Sequence, residues 1–188
     1  MPSPRVLPVS GSANTAGAGR VLGIDPGSRV TGFGVLESDA RGVSYVEHGS
    51  VRLADGGLCD RLGAIYTKLG AVIDRCRPDV VVIEKVFMAR NAQSALVLGQ
   101  ARGAAVVAAV DRGVAVVEYS ALEVKQAVVG RGRADKRQVQ HMVRALLGLT
   151  KAPAADAADA LACAICHAHH VAGAVRFERG LAPGGTPR

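Results

Sequence analysis

Residues 20–30 read RVLGIDPGSRV, and this stretch decides how the fold begins. A short apolar run ended by Pro26-Gly27 predicts a strand that enters a tight turn. The segment TGFGVLE at 31–37 predicts a second strand, and the partial alternation of polarity over 42–53 predicts a third. Because the links between them are short, the three strands are predicted to form an antiparallel meander.

After residue 53 the pattern changes to helices and strands in alternation. Apolar residues recur with a helical period over 58–76, and Pro78 ends that helix. Two segments are nearly all apolar, as expected for strands buried on both faces: 80–86 and 113–119. Further helices are predicted at 91–111, after Ser120 with Glu123 completing a capping box, at 136–147 and at 155–170. The order predicts an α/β fold, with a five-stranded mixed sheet and helices on both faces.

Composition limits the classes of protein to consider. The chain has 188 residues, 49% apolar and only 3% aromatic, so one domain with a core of Ala, Val, Leu and Ile is expected. No unbroken apolar run approaches the roughly 18 residues of a membrane span, which argues against a membrane protein. Four cysteines are too few for a dense disulfide framework.

The charge balance points to a polyanionic partner. Eighteen Arg and five Lys stand against 16 acidic residues, for a net charge of +7. An excess of Arg suits contact with phosphate, and nucleic acid is the phosphate polymer expected here. The alternative is that a GC-rich genome favours Arg and Ala codons.

Both ends of the chain differ from its middle. Residues 1–19 are rich in Pro, Ser, Gly and Ala, without the basic and apolar regions of a secretory signal, and are predicted to be a disordered extension. Residues 173–188 are predicted to be a flexible tail. The folded domain is therefore expected at 20–172, and the protein is expected in the cytoplasm.

Four carboxylates stand at positions that need an explanation. Asp25 and Glu84 each end a buried apolar strand, where an unpaired charge is costly to desolvate. Asp156 and Asp159 are three residues apart, so a helix places them on one face. Acids on neighbouring strands would repel each other unless a divalent cation bridged them. Two alternatives remain open: strand-end acids that face solvent, and first-turn acids that only stabilise a helix.

Four segments, taken in this order, resemble the RuvC family of bacterial Holliday-junction endonucleases. They are LGIDPGSRVTGFGV at 22–35, IEKVFMARNAQSALVLGQARG at 83–103, VKQAVVGRGRADKRQVQHMVRALLGL at 124–149 and ADAADALACAICHAH at 155–169. A lone Asp-Pro-Gly would be weak, since ATPases of the actin and Hsp70 type carry it too. The resemblance spans about 21–171 and implies a ribonuclease H-like fold, a homodimer and metal-dependent cleavage of two opposed strands of a four-way junction.

The resemblance also implies which residues act. The family's catalytic, metal-binding acids correspond to Asp25, Glu84, Asp156 and Asp159; some members have His at the position of Asp156. Two Mg²⁺ ions per subunit are expected, with Mn²⁺ able to substitute, since hard ions prefer oxygen ligands. We assign Asp25 as the bridging ligand and Glu84 to the nucleophile side; the division between Asp156 and Asp159 is left open.

Several basic residues and one aromatic residue are candidates for DNA contact. In the family, Lys125 and Lys136 match positions tied to catalysis or DNA contact. Phe87 is a candidate to stack on an unpaired base, with a core Phe as the alternative. The full set is Lys85, Phe87, Arg90, Lys125, Arg131, Arg133, Lys136 and Arg137. For any single cation, a merely solvated surface charge is an equal alternative.

The remaining expectations concern partners and competing functions. Gly99 and Gly103 lie in the predicted helix 91–111, where small residues would let a second subunit approach closely. The family implies a RuvA–RuvB branch-migration complex as a further partner, and no membrane. The main alternative function is a catalytically idle nucleic-acid-binding protein of the same fold. Cys163 and Cys166 match a haem attachment string, but are interpreted as small buried side chains.

Overall fold

The computed structural model describes residues 5–7, 19–53, 55–85 and 92–181. Over these residues it has six strands and five helices. In chain order they are β1 Arg5–Leu7, β2 Gly19–Asp25, β3 Val30–Asp39, β4 Gly42–Arg52, α1 Leu58–Cys76, β5 Val80–Lys85, α2 Ala92–Val110, β6 Ala115–Ser120, α3 Ala121–Val129, α4 Lys136–Leu146 and α5 Ala155–Leu181.

The strands form one mixed sheet in the order β1-β6-β5-β2-β3-β4. Strands β2, β3 and β4 make the predicted antiparallel meander. Strands β5 and β6 run parallel to β2, as their crossover helices require. The central strands β2 and β5 therefore end at the same edge of the sheet.

Each face of the sheet carries its own apolar core. On one face, α1 and α2 cover Leu22, Ile24 and Ile83. On the other face, α3, α4 and α5 cover Val21, Val82 and neighbouring residues. This confirms the α/β prediction of helices on both faces, and both cores are built from aliphatic side chains because the chain has so few aromatics.

The structure has secondary structure at both ends that the sequence did not predict. β1 (Arg5–Leu7) lies inside the segment predicted to be disordered, and pairs antiparallel with β6. Backbone pairing at a sheet edge depends little on side-chain pattern, so this strand leaves no periodic signal. At the other end, α5 continues through Leu181, past the predicted end of the domain at residue 172.

Helix α2 differs from the expectation about apolar runs. By length and composition alone, Ala92–Val110 could cross a membrane, and it is the one such helix within the described ranges. Small polar residues interrupt its apolar run, so the search for long unbroken apolar runs did not find this helix. In the structure α2 contacts α1 and packs Ala101, Ala105 and Ala108 into the core; 22% of the helix's most apolar stretch is buried. One helix of this kind is weak evidence for a membrane protein.

Candidate active site

Asp25 and Glu84 lie side by side at the carboxyl edge of the two central strands. Ile24 pairs with Ile83 in the parallel β2–β5 ladder, so Asp25 and Glu84 are the next neighbours in register. Both isoleucines are buried on the α1–α2 face. Since side chains alternate along a strand, both carboxylates point toward the face that α5 covers.

Helix α5 brings the other two acids to the same edge. Asp25 pairs with Gly32 in the β2–β3 ladder, and a Cβ on Gly32 would lie 2.0 Å from the carbonyl oxygen of Asp156. A Cβ on Gly23 would lie 1.9 Å from the carbonyl oxygen of Ala160. The start of α5 can therefore rest directly on the strand backbones, which sets Asp156 and Asp159 beside Asp25.

The proximity of the acids shifts their pKa values. Burial, together with the charges of Asp159, Glu84 and Asp156 and against the opposing charge of Lys136, raises the pKa of Asp25 to about 7. Burial, followed by the charge of Asp159, also raises the pKa of Glu84, against the opposing charges of Lys125 and Lys136. The site thus concentrates negative charge that two nearby ammonium groups only partly balance.

Two capped helices hold those ammonium groups near the acids. In α3, Ser120 and Glu123 form the predicted capping box, and Lys125 lies two residues after Glu123. In α4, Asp135 caps the helix that begins at Lys136. Lys136 donates to a carboxylate oxygen of Asp159 at 3.3 Å, and this carboxylate raises the pKa of Lys136.

The donor set suits a hard divalent cation. Four carboxylates face one edge, and a bound cation would neutralise the charges that raise the pKa of Asp25. Among the described residues, no three acidic, His or Cys side chains already form a complete metal-binding group. The residues that would hold such an ion are Asp25, Glu84, Asp156 and Asp159.

Besides Lys125 and Lys136, the predicted DNA contacts divide into three groups. Phe87 and Arg90 lie outside the described residues. Lys85, the last residue of β5, pairs with Ser120 beside the acids. The exposed side chains of Arg131, Arg133 and Arg137 lie in or next to the α3–α4 loop, where two of them line an open pocket of about 530 Å³ with Asp135, Gln138 and His141.

Several supporting residues were not singled out from the sequence. Gly23 and Gly32 permit the close approach of α5, and glycine inside a strand was the signal for them. The buried Tyr119, which pairs with Glu84, shares a hydrogen bond of 3.0 Å with Nδ1 of His167 on α5. Cys163 and Cys166 are buried, as interpreted from the sequence.

A mixed sheet with acids at the edge of its central strands and on its last helix defines a nuclease of the ribonuclease H-like class. The family model described as "Crossover junction endodeoxyribonuclease RuvC" matches residues 21–167. The chain belongs to the RuvC family.

Relatives and solved structures agree with this assignment. The crossover junction endodeoxyribonuclease RuvC of Marinobacter nauticus is 55% identical over 159 residues, covering 85% of this chain and 91% of that protein. The protein of the same name from Pseudomonas paraeruginosa is 58% identical over 149 residues, covering 79% and 86%. Thermus thermophilus RuvC in complex with a Holliday junction substrate matches with a TM-score of 0.77 and 37% identity, over 83% of this chain and 96% of that one. The yeast mitochondrial Holliday junction resolvase Ydc2, 10% identical with a TM-score of 0.60, shares the fold.

Proposed function

We propose that this protein resolves Holliday junctions by paired, symmetric phosphodiester hydrolysis, using two divalent ions per active site. The observation that carries the proposal is the convergence of the acids: Asp25 and Glu84 are neighbours in register on β2 and β5, and the start of α5, with Asp156 and Asp159, lies on Gly32 beside Asp25. Membership of a family of crossover junction endodeoxyribonucleases supplies the substrate class. This favours catalysis over the idle binding protein, which would have no need for a cluster of destabilising acids.

The chemistry follows from where the acids lie. Bound Mg²⁺, or Mn²⁺ in its place, supplies Lewis-acid stabilisation of the phosphoryl oxygens and a water molecule that is easily deprotonated. Asp25, in the middle of the cluster, would be shared between the two ions, and Glu84 would hold the nucleophile side with it. Asp156 and Asp159 would complete the other side. Lys136, which donates to Asp159, is close enough to the acids to be a candidate contact for the DNA phosphate.

The cations around α3 and α4 are proposed to orient the DNA. These cations belong to elements that border the acid cluster on the α5 face. They are Lys85, Lys125, Arg131, Arg133, Lys136 and Arg137. Phosphate contacts of this kind fix the register of the duplex on the protein. Phe87 as a stacking residue and Arg90 as a phosphate contact remain predictions.

The proposed dimer uses the exposed face of α2. A Cβ on Gly99 or Gly103 would meet no atom within 4 Å, so both glycines leave room for another surface. Leu96, Val107 and Val110 are exposed nearby. A second copy related by a two-fold axis would cover these side chains and present two acid sites to a two-fold junction.

Two partner and compartment proposals come from the family and the cysteines. A RuvA–RuvB branch-migration complex is proposed as the partner that delivers the junction. All four cysteines, Cys59, Cys76, Cys163 and Cys166, are free thiols, which is typical of a reducing compartment such as the cytoplasm.

Cleavage of synthetic four-way junctions tests the proposal. We expect the protein to nick mobile and immobile junctions at two symmetric positions in Mg²⁺, and not in chelator. Linear duplexes of the same sequence serve as the matched substrate control. Junction binding without metal-dependent nicking would instead support the idle binding protein.

A further inference from the structure

We infer that a second phosphate-binding surface lies on the α1 side of the acid cluster, and that it holds a junction arm which the α3–α4 cations do not reach. We call it the α1-side patch; it consists of Arg29, Arg52, Arg61 and Lys68. The inference rests on the proposed function, since it assigns a surface to the same DNA substrate.

The patch begins in the loop that follows Asp25. Arg29 is four residues after Asp25 and directly precedes β3. Arg52 ends β4 and is adjacent to it, since Val30 pairs with Arg52 and the N–H of Leu53 donates to the carbonyl oxygen of Arg29 at 3.0 Å. The side chains of Arg29 and Arg52 are both exposed.

Helix α1 contributes the other two cations. Arg61 and Lys68 are seven residues apart and therefore share one face of the helix. Nη1 of Arg61 donates to the carbonyl oxygen of Ser28 at 3.3 Å, and Nζ of Lys68 donates to the carbonyl oxygen of Arg52 at 3.0 Å. These bonds tie α1 to the loop and to the end of β4, so the four residues belong to adjoining segments of the chain.

The charges of the patch are not neutralised within the described part of the chain. No member of the patch has a carboxylate partner there. Five other cations do: Arg20, Arg75, Arg102, Arg112 and Lys136. The nearby Asp60 accepts a bond from the backbone N–H of Gly57. Nε of Arg61 is buried and has no hydrogen-bond partner. The guanidinium groups open to a ligand are those of Arg29 and Arg52, which are exposed, and a phosphate is the natural anion for a guanidinium.

The position of the patch explains why DNA is the ligand. The acid cluster faces α5, while α1 packs on the opposite face of the sheet. Arg61 and Lys68 on α1 are therefore across the sheet from the α3–α4 cations, and Arg29 and Arg52, at the start of β3 and the end of β4, lie on the side of β2 away from β5. A single duplex crossing the edge that carries Asp25 would not need two separated basic surfaces, but a branched substrate has arms that leave on both sides of the cleaved strand.

The test compares Arg29→Ala and Arg52→Ala with Arg41→Ala. Arg41 is exposed in the β3–β4 turn, at the far end of the same hairpin, so it is a matched control for the loss of one charge. Arg61 is left unchanged because its bond to Ser28 supports the loop. Junction affinity is measured in chelator at several salt concentrations, and the cleavage rate is measured in Mg²⁺ with the junction saturated by protein.

We expect Arg29→Ala and Arg52→Ala each to weaken binding several-fold and to reduce the slope of log affinity against log salt by about 1. Arg41→Ala should retain the parent's affinity and slope. If both patch variants bind like Arg41→Ala while the parent binds and cleaves, the patch does not contact DNA and the inference is wrong; an acidic protein partner would give this result. If the parent itself does not bind junctions, the proposed function falls and the inference with it.

Discussion

Helices α2 and α5 are both rich in alanine, yet the fold uses them in opposite ways. From Ala157 to Cys166, every side chain of α5 except that of Asp159 is at most 1% exposed. In α2 only Ala101, Ala105, Ala108 and Ala109 are buried, and Val107 is 55% exposed. Small residues in α5 serve close contact with the sheet and so place two acids; in α2 they leave a face free for a partner. Similar composition therefore does not predict similar burial.

Removing the charge of Asp25 from the acid cluster should give the largest effect. Asp25→Asn is expected to lower junction cleavage in Mg²⁺ by several orders of magnitude, because a neutral amide is a poor ligand for a hard cation. Binding in chelator should be unchanged, since phosphate contacts dominate affinity. A gel-shift titration beside a cleavage time course makes the comparison. Parallel loss of binding and cleavage would mean that Asp25 is structural.

Displacing α5 without touching any acid should give the next largest effect. Gly32→Ala forces a Cβ against the carbonyl oxygen of Asp156, so the start of α5 must shift. We expect a loss of about 1–3 kcal/mol in the free energy of unfolding and a fall in cleavage rate of about 10²-fold.

Gly63→Ala is the matched control for this change, because a Cβ on Gly63 in α1 would meet no atom within 4 Å. It should keep the activity of the parent and be as stable or more stable by up to about 1 kcal/mol, because Ala favours a helix more than Gly does. Denaturant unfolding and cleavage assays on all three proteins provide the measurement. A Gly32→Ala variant with normal activity would show that α5 need not lie so close to the strands.

The proposal that α2 forms the dimer interface can be tested by measuring the oligomeric state of variants. Val107→Arg is expected to weaken self-association by at least about tenfold, because a charge would be buried between the copies. Leu122→Arg, on α3 at the same 55% exposure, is the control and should stay associated. Sedimentation velocity over a range of concentrations measures both variants. Equal behaviour of the two would remove α2 from the interface.

The smallest effect expected is on stability without metal. Since the pKa of Asp25 in the folded protein, about 7, lies above the ordinary value, its charged form destabilises the folded state above that pH. In chelator at pH 8, Asp25→Asn should therefore be more stable than the parent by about 1–3 kcal/mol, or roughly 3–10 °C in Tm.

The pH dependence gives the sign of the effect. As the pH falls through 7 toward the ordinary carboxyl value, Asp25 of the parent becomes protonated in the folded state and the difference in Tm should shrink. Added Mn²⁺ should reverse the order, because metal stabilises the form that binds it. Melting curves at pH 8 and pH 5, with chelator and with Mn²⁺, measure both. A lower Tm for Asp25→Asn in chelator at pH 8 would show that the acids do not strain one another.

Local pattern determined most of the secondary structure. The apolar run before Pro26-Gly27, the helical period over 58–76 and the capping box at Ser120 each correspond to an observed element with similar bounds. Such signals depend on a few neighbouring residues, so the sequence carries them completely. Asp25 and Glu84 are conspicuous in the same way, because a carboxylate at the end of an apolar strand needs an explanation, whereas Asp156 and Asp159 joined them as candidates through the resemblance to the family.

Tertiary structure alone decided how those residues meet. Asp25 and Asp156 are far apart in sequence, and they become neighbours because Gly32 lets α5 rest on the sheet. The edge strand β1, the exposed face of α2 and the adjoining of the segments that carry Arg29, Arg52, Arg61 and Lys68 likewise depend on backbone pairing and helix docking. These are long-range contacts, and no periodicity within one segment can specify which distant backbone or side chain will lie against it.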